Sequence, residues 1–210
     1  MITGLERIAQ NKLKYPESKH LNLIHYVNVE NLKGAYKRIN GKKATGTDKV
    51  SKDEYGKDLE ANLNQLVARM KTFSYRPQPT KRVYIPKAGS NKLRPLGIPS
   101  FEDKLVQNIM ADVLSEIYEP IFYDFSYGFR KDRDCHKAIE HLSEMIHRNK
   151  VNYIVDADIK GFFDNVDHKI LMEFLRKEIG DDVFLRYIIR FLKAGIMEHG
   201  KKIERESVAN

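Results

Sequence analysis

Apolar residues recur along much of this chain at three- and four-residue steps, the spacing that gathers side chains on one face of a helix. Leu59, Leu63, Leu66, Val67 and Met70 predict an amphipathic helix over residues 55–71, with its stripe in a core. Leu105, Val106, Ile109, Met110, Val113, Leu114 and Ile117 predict another over 103–117. Further helices are expected over 135–148, 170–179 and 183–192, and short helical fragments broken by polar stretches over the first fifty residues. Between the first two helices the pattern changes. Arg76-Pro77-Gln78-Pro79 is a breaker, and two β-leaning runs, 82–87 and 93–99, flank Ala88-Gly89-Ser90-Asn91 as a hairpin would. Their prolines suit an edge or an end of a sheet. Residues 151–159, rich in β-branched and aromatic side chains, predict a central strand.

Composition narrows the function classes. With 210 residues, 41% of them hydrophobic, the chain can bury a core, and a net charge of +8 favours a polyanionic partner. Charge alone leaves nucleic-acid binding and a merely basic surface equally open. Cys135 is the only cysteine, which excludes an intrachain disulfide or a multi-cysteine zinc site and suits a reducing cytoplasm. No signal-peptide core or run of about 20 apolar residues is present, so a soluble cytoplasmic protein without a membrane partner is expected. There is no Walker loop, nucleophile elbow or metalloprotease motif, and His136 and His141 stand five apart, off the spacing that two ligands on one helix need.

The sharpest chemistry lies in residues 156–168. On a strand Asp156 and Asp158 would share a face, and adjacent carboxylates at the end of an apolar strand are costly unless a cation neutralises them. An oxygen-rich site of this kind suits Mg²⁺, which completes its shell with water and substrate phosphates. The competing reading is two acids at a solvated strand end.

Asp158-Ile159-Lys160-Gly161-Phe162-Phe163-Asp164 resembles the first palm motif of reverse transcriptases in the version carried by group II intron proteins. The resemblance implies that Asp158 binds the catalytic metals and that Phe163 packs under the sugar of the incoming nucleotide, leaving no room for a 2′-hydroxyl. Asp156 falls outside the matched motif. Ile85-Pro86-Lys87 and Arg94-Pro95-Leu96-Gly97-Ile98-Pro99 resemble the family's fingers motif, which implies that Lys87 and Arg94 contact the triphosphate. Arginine clamps phosphate bidentately and lysine supplies a point charge, so the chemistry is reasonable. Ser126-Tyr127-Gly128-Phe129-Arg130 is a third likeness and places Arg130 near nucleotide or template, with Arg133 facing RNA. The bland alternative has Tyr127 and Phe129 in the core and the arginines paired at the surface. The basic loop 40–48, similar to the N-terminal extension loop of non-viral retroelement polymerases, puts Lys42 and Lys43 over the template.

These likenesses imply an α+β fold in which helical fingers with a β-hairpin lead into the first strand and helices of a polymerase palm. The expected organisation is an N-terminal extension over 1–50, fingers over 51–150 and the start of a palm over 151–210. The implied function is RNA-directed DNA synthesis with intron maturase activity. Its partners would be intron RNA, an RNA template with a DNA primer, and deoxynucleoside triphosphates with Mg²⁺; a homodimer is compatible with it. The family's downstream Tyr-x-Asp-Asp turn is not found. Gly180-Asp181-Asp182 is read as a helix start, because a helical pattern follows it. The chain is therefore expected to be an expressed piece, a proteolytic remnant or a truncated gene product, inactive as a polymerase by itself. Two rivals stand: a non-catalytic RNA-binding maturase scaffold, and a glycosyltransferase using Asp156-Ala157-Asp158. The latter would need a nucleotide-binding α/β unit ahead of the motif, where this chain has a proline-bearing hairpin.

Overall fold

A computed structural model describes residues 4–15, 17–87, 89 and 91–203. In chain order the elements are α1 (Glu6–Lys14), a 3-10 turn (Leu23–Tyr26), α2 (Val29–Arg38), α3 (Lys52–Gly56) and α4 (Leu59–Lys71). A hairpin, β1 (Thr80–Pro86) and β2 (Leu93–Ile98), is followed by α5 (Phe101–Tyr118), α6 (Cys135–Arg148), α7 (His168–Glu178) and α8 (Asp182–Leu192). A small second hairpin, β3 (Ile196–Glu198) and β4 (Lys201–Ile203), completes the described fold. The architecture is α+β, as the sequence implies.

Helix starts follow local chemistry. Asn28, Ser51, Ser100, Asp134, Asp167 and Asp181 each accept a backbone N–H of the following turn, satisfying donors that a helix leaves unpaired. Asp181 takes Val183 N at 2.9 Å and Phe184 N at 3.0 Å, and its second oxygen accepts Ile24 N at 2.9 Å. The Gly-Asp-Asp sequence is thus a helix cap that also ties α8 to the N-terminal turn.

α5 is the spine of the core. Leu105, Val106, Ile109, Val113 and Ile117 are fully buried among Ile8 of α1, Leu32 and Ala35 of α2, Leu63 and Leu66 of α4, and Phe184 and Leu185 of α8. Each such side chain contributes about 1.5–3 kcal/mol by leaving water. The helix expected over 55–71 is in fact two, α3 and α4. Asp58 leaves helical geometry at φ −123°, ψ 43°, and Asn62 Nδ2 donates to the freed Tyr55 carbonyl at 2.9 Å. The break lets Tyr55 turn inward onto Phe101, ring centroids 4.9 Å apart.

The sheet has the order β2-β1-β3-β4, with β1 antiparallel to β2 and parallel to β3. Pro95 sits on the edge strand β2 and Pro86 at the end of β1, where a missing N–H costs least. The short β3–β4 pair had no sequence signal beyond a polar stretch. Opposite in outcome, residues 151–159 form no strand: all nine are exposed, and among the described residues nothing pairs with their backbone. β-propensity is a fit to a pleated neighbour, and no described strand offers its edge to this segment. The expectation of a central strand at Asp158 is corrected accordingly.

Candidate functional site

The hairpin and the loop before α3 are built as one piece. Gly46 is buried so tightly that a Cβ there would lie 2.4 Å from the Pro99 carbonyl oxygen and 2.7 Å from Ser100 N. Asp48 Oδ2 accepts Phe101 N at 2.7 Å, and the Thr47 hydroxyl lies 3.2 Å from the Pro79 carbonyl. Lys104 Nζ donates to the Ala44 carbonyl at 2.7 Å, and burial holds its ammonium below the ordinary lysine value. Asn40 turns the loop by accepting Lys42 N at 2.9 Å. Lys42 and Lys43 are exposed on it, and Lys43 lines a cleft of about 620 Å³ with Arg38, Asn40, Ala44, Lys104 and residues 96–99.

Asp103 fixes the other root. It is buried, accepts Gln78 N at 2.9 Å and the Tyr75 hydroxyl, and burial raises its carboxyl above the ordinary range. From α8, Tyr187 donates to the Met70 carbonyl at 2.7 Å and Arg190 to the Tyr75 carbonyl at 2.9 Å. The segment leading into β1 is thereby held to α5 and α8.

A second cleft, about 610 Å³, opens between this hairpin and the region of α7, α8 and β3. Arg82, Arg94, Phe163, Asp164, His168 and Phe191 are among its lining residues. The structure thus brings together Arg94 and Phe163, which stand far apart in the chain. Lys87 is exposed near the hairpin tip, two positions from Ile85, the residue opposite Arg94, so strand alternation puts both cations on one side. Arg82, Asp164 and His168 were not assigned a role from sequence; His168 carries a buried Nδ1 without a hydrogen-bond partner among the described residues.

Arg130 is placed differently. Its side chain is only 5% exposed, and its guanidinium donates to Glu119 at 2.6 Å, to the Tyr123 carbonyl at 2.8 Å and to the Ser126 carbonyl at 2.9 Å. It also sits 5.1 Å above the Phe122 ring. These bonds staple the 119–126 turn and hold the Glu119 carboxyl below its ordinary range. Arg133 donates to the Asp124 carbonyl at 2.7 Å. Both arginines are therefore paired, but Phe129 is 98% exposed at positive φ and meets Phe163 edge-on, centroids 6.0 Å apart.

Asp158 lies on the exposed, unpaired segment 151–159, outside the Arg94–Phe163 cleft. Among the described residues no group of three His, Cys, Asp or Glu side chains could hold a metal ion. One carboxylate on an unpaired segment does not fit a complete two-ion site. No helix among the described residues is long and apolar enough to cross a membrane.

Residues 85–208 match the family described as reverse transcriptase (RNA-dependent DNA polymerase). The chain is 36% identical over 196 residues to the group II intron-encoded protein LtrA of Lactococcus lactis subsp. cremoris, covering 93% of this chain and 32% of LtrA. It is 34% identical over 163 residues to protein YkfC of Escherichia coli K12, covering 76% of this chain and 42% of that protein. Nuclear intron maturase 1, mitochondrial, of Arabidopsis thaliana is 29% identical over 126 residues, 51% of this chain and 17% of that protein. The chain thus spans less than half the length of each of these relatives, and about a third of LtrA. Arg94 and Phe163, which share the cleft, both lie inside the matched stretch, and the chain belongs to the reverse transcriptase family, in the branch encoded by group II introns.

Proposed function

We propose that this chain is the nucleotide- and template-facing portion of an RNA-directed DNA polymerase that also serves as an intron maturase. The observation that carries the reading is the shared cleft. A guanidinium on the hairpin and an aromatic ring from the Asp158 motif face one solvent space, the arrangement needed to hold a triphosphate and sense its sugar. Lys87 and Arg94 bind phosphate, Phe163 lies against the sugar, and Asp158 supplies a single ligand to Mg²⁺. Lys42, Lys43 and Arg133 face RNA. Arg130, expected at the nucleotide, acts through the turn it staples.

Mg²⁺, when bound, would neutralise phosphate charge; the described residues contribute only part of its shell. The partners are intron RNA, an RNA template with DNA primer, and deoxynucleoside triphosphates, and the compartment is the cytoplasm. A non-catalytic maturase scaffold is the second reading, favoured by the unpaired segment around Asp158. Nuclear magnetic resonance separates the two. Titration with a deoxynucleoside triphosphate and Mg²⁺ should shift the Phe163 ring and the Arg94 guanidinium together, and Arg94→Ala should abolish the shift at the Phe163 ring. Shifts at neither group, with RNA binding intact, would favour the scaffold.

A further inference from the structure

The basic loop 40–44 has few internal bonds of its own, yet Gly46, Thr47 and Asp48 just after it grip the hairpin at both ends. Thr47 Oγ1 meets the Pro79 carbonyl at 3.2 Å and Gln78 Oε1 at 3.1 Å, just before β1 begins at Thr80. Asp48 Oδ2 accepts Phe101 N at 2.7 Å, just after β2 ends at Ile98. Gly46 lies between them, against the Pro99 carbonyl, where no side chain fits. Ser100 already caps α5 through Asp103 N, so Asp48 takes a second, otherwise free donor of the same helix start. The Lys104–Ala44 bond at 2.7 Å closes the loop onto α5 from the other side.

We propose that Thr47 and Asp48 are positioning residues that lock the basic loop to both roots of the β1–β2 hairpin, so that Lys42 and Lys43 and the hairpin cations Lys87 and Arg94 meet one polyanion as a single rigid unit. The role rests on the nucleic-acid reading above and goes beyond it. Neither side chain reaches the ligand; both set where the lysines are. Cations held in a fixed array lose little freedom on binding, whereas the same lysines on a loose loop must be ordered by the ligand. Loss of the lock therefore reduces what Lys42 and Lys43 contribute, not only the stability of the fold.

The test is a double-mutant cycle on the 210-residue chain, with a fluorescein-labelled RNA hairpin carrying a single-stranded 3′ overhang as probe. In the unsubstituted background, Lys42→Ala with Lys43→Ala should weaken binding about tenfold at low salt and reduce the salt slope by about two. In the Asp48→Ala background the same pair should cost less than about twofold. Asp48→Asn, which keeps an acceptor for Phe101 N, should restore the full cost. Should Asp48→Ala not fold, Thr47→Val enters the cycle under the same criterion. Equal costs in both backgrounds, with thermal midpoints recorded for each variant, would overturn the lock while leaving RNA binding in place. Absence of salt-dependent binding by the unsubstituted chain would overturn the functional reading itself, and the lock's role with it.

Discussion

At the scale of single residues, the polar groups that matter are those that fix backbone, and they make sharp predictions. Gly46 is flexible by nature, but its φ is not positive; it is required for space. Gly46→Ala forces a methyl group into the Pro99 carbonyl, and since backbone cannot rotate away, a loss of about 1–3 kcal/mol is expected in urea unfolding. Asp103 predicts a pH effect. Its carboxyl is raised by burial, so the folded state holds its proton more tightly than the unfolded chain. The stability it contributes is fully present below the ordinary carboxylate pKa and is lost as pH rises through the higher folded value. Asp103→Asn lacks this response, so the stability gap between wild type and variant should shift in favour of wild type from pH 7 to pH 5. A gap that moves the other way in urea midpoints would refute burial as the dominant cause. Glu119 has the opposite sign, since the Arg130 guanidinium lowers it, and its contribution fades on acidification.

At the scale of elements, the sequence reveals what local pattern controls. The stripes that became α4, α5, α7 and α8 were legible because burial on one face of a helix repeats every three or four residues, and α6 carries the same spacing although none of its residues is buried. The β1–β2 hairpin was legible from its breakers and turn residues. The Asp58 break was hidden, because apolar spacing runs through it and only the inward turn of Tyr55 requires it. Residues 151–159 show the reverse failure. Their composition favours a strand, but a strand exists only with a partner, and pairing is a tertiary fact. The site was partly legible in the same way. Arg94 and Phe163 could be named from motifs, while their meeting in one cleft, and the engagement of Arg130 by Glu119, depend on how the elements pack. Hydrogen exchange should separate these elements. Amides of residues 151–159 should exchange at nearly unprotected rates, and those of β1 and β2 that pair in the ladder should be slowed by orders of magnitude. Protection across 151–159 in the isolated chain would show that the segment is paired after all.

At the scale of the whole molecule, charge and architecture converge on a polyanion. A net charge of +8 is expressed in part through exposed cations on two neighbouring pieces, the 40–48 loop and the hairpin, which share a common root at Pro79 and residues 99–101. Large exposed apolar residues lie on α6 (Ile139, Leu142, Met145) and beyond it (Tyr153, Ile154, Val155), and on the hairpin itself (Tyr84, Ile85, Leu93, Leu96), where they stand beside the cations. Binding of RNA through the cationic region needs no completed metal site. The most direct test of the account is therefore a salt titration of RNA binding by this chain. The affinity should fall linearly with salt on logarithmic axes, and charge reversal of Lys42 and Lys43 should flatten the slope by about two contacts. Affinity indifferent to salt, or a slope unchanged by the charge reversal, would contradict it.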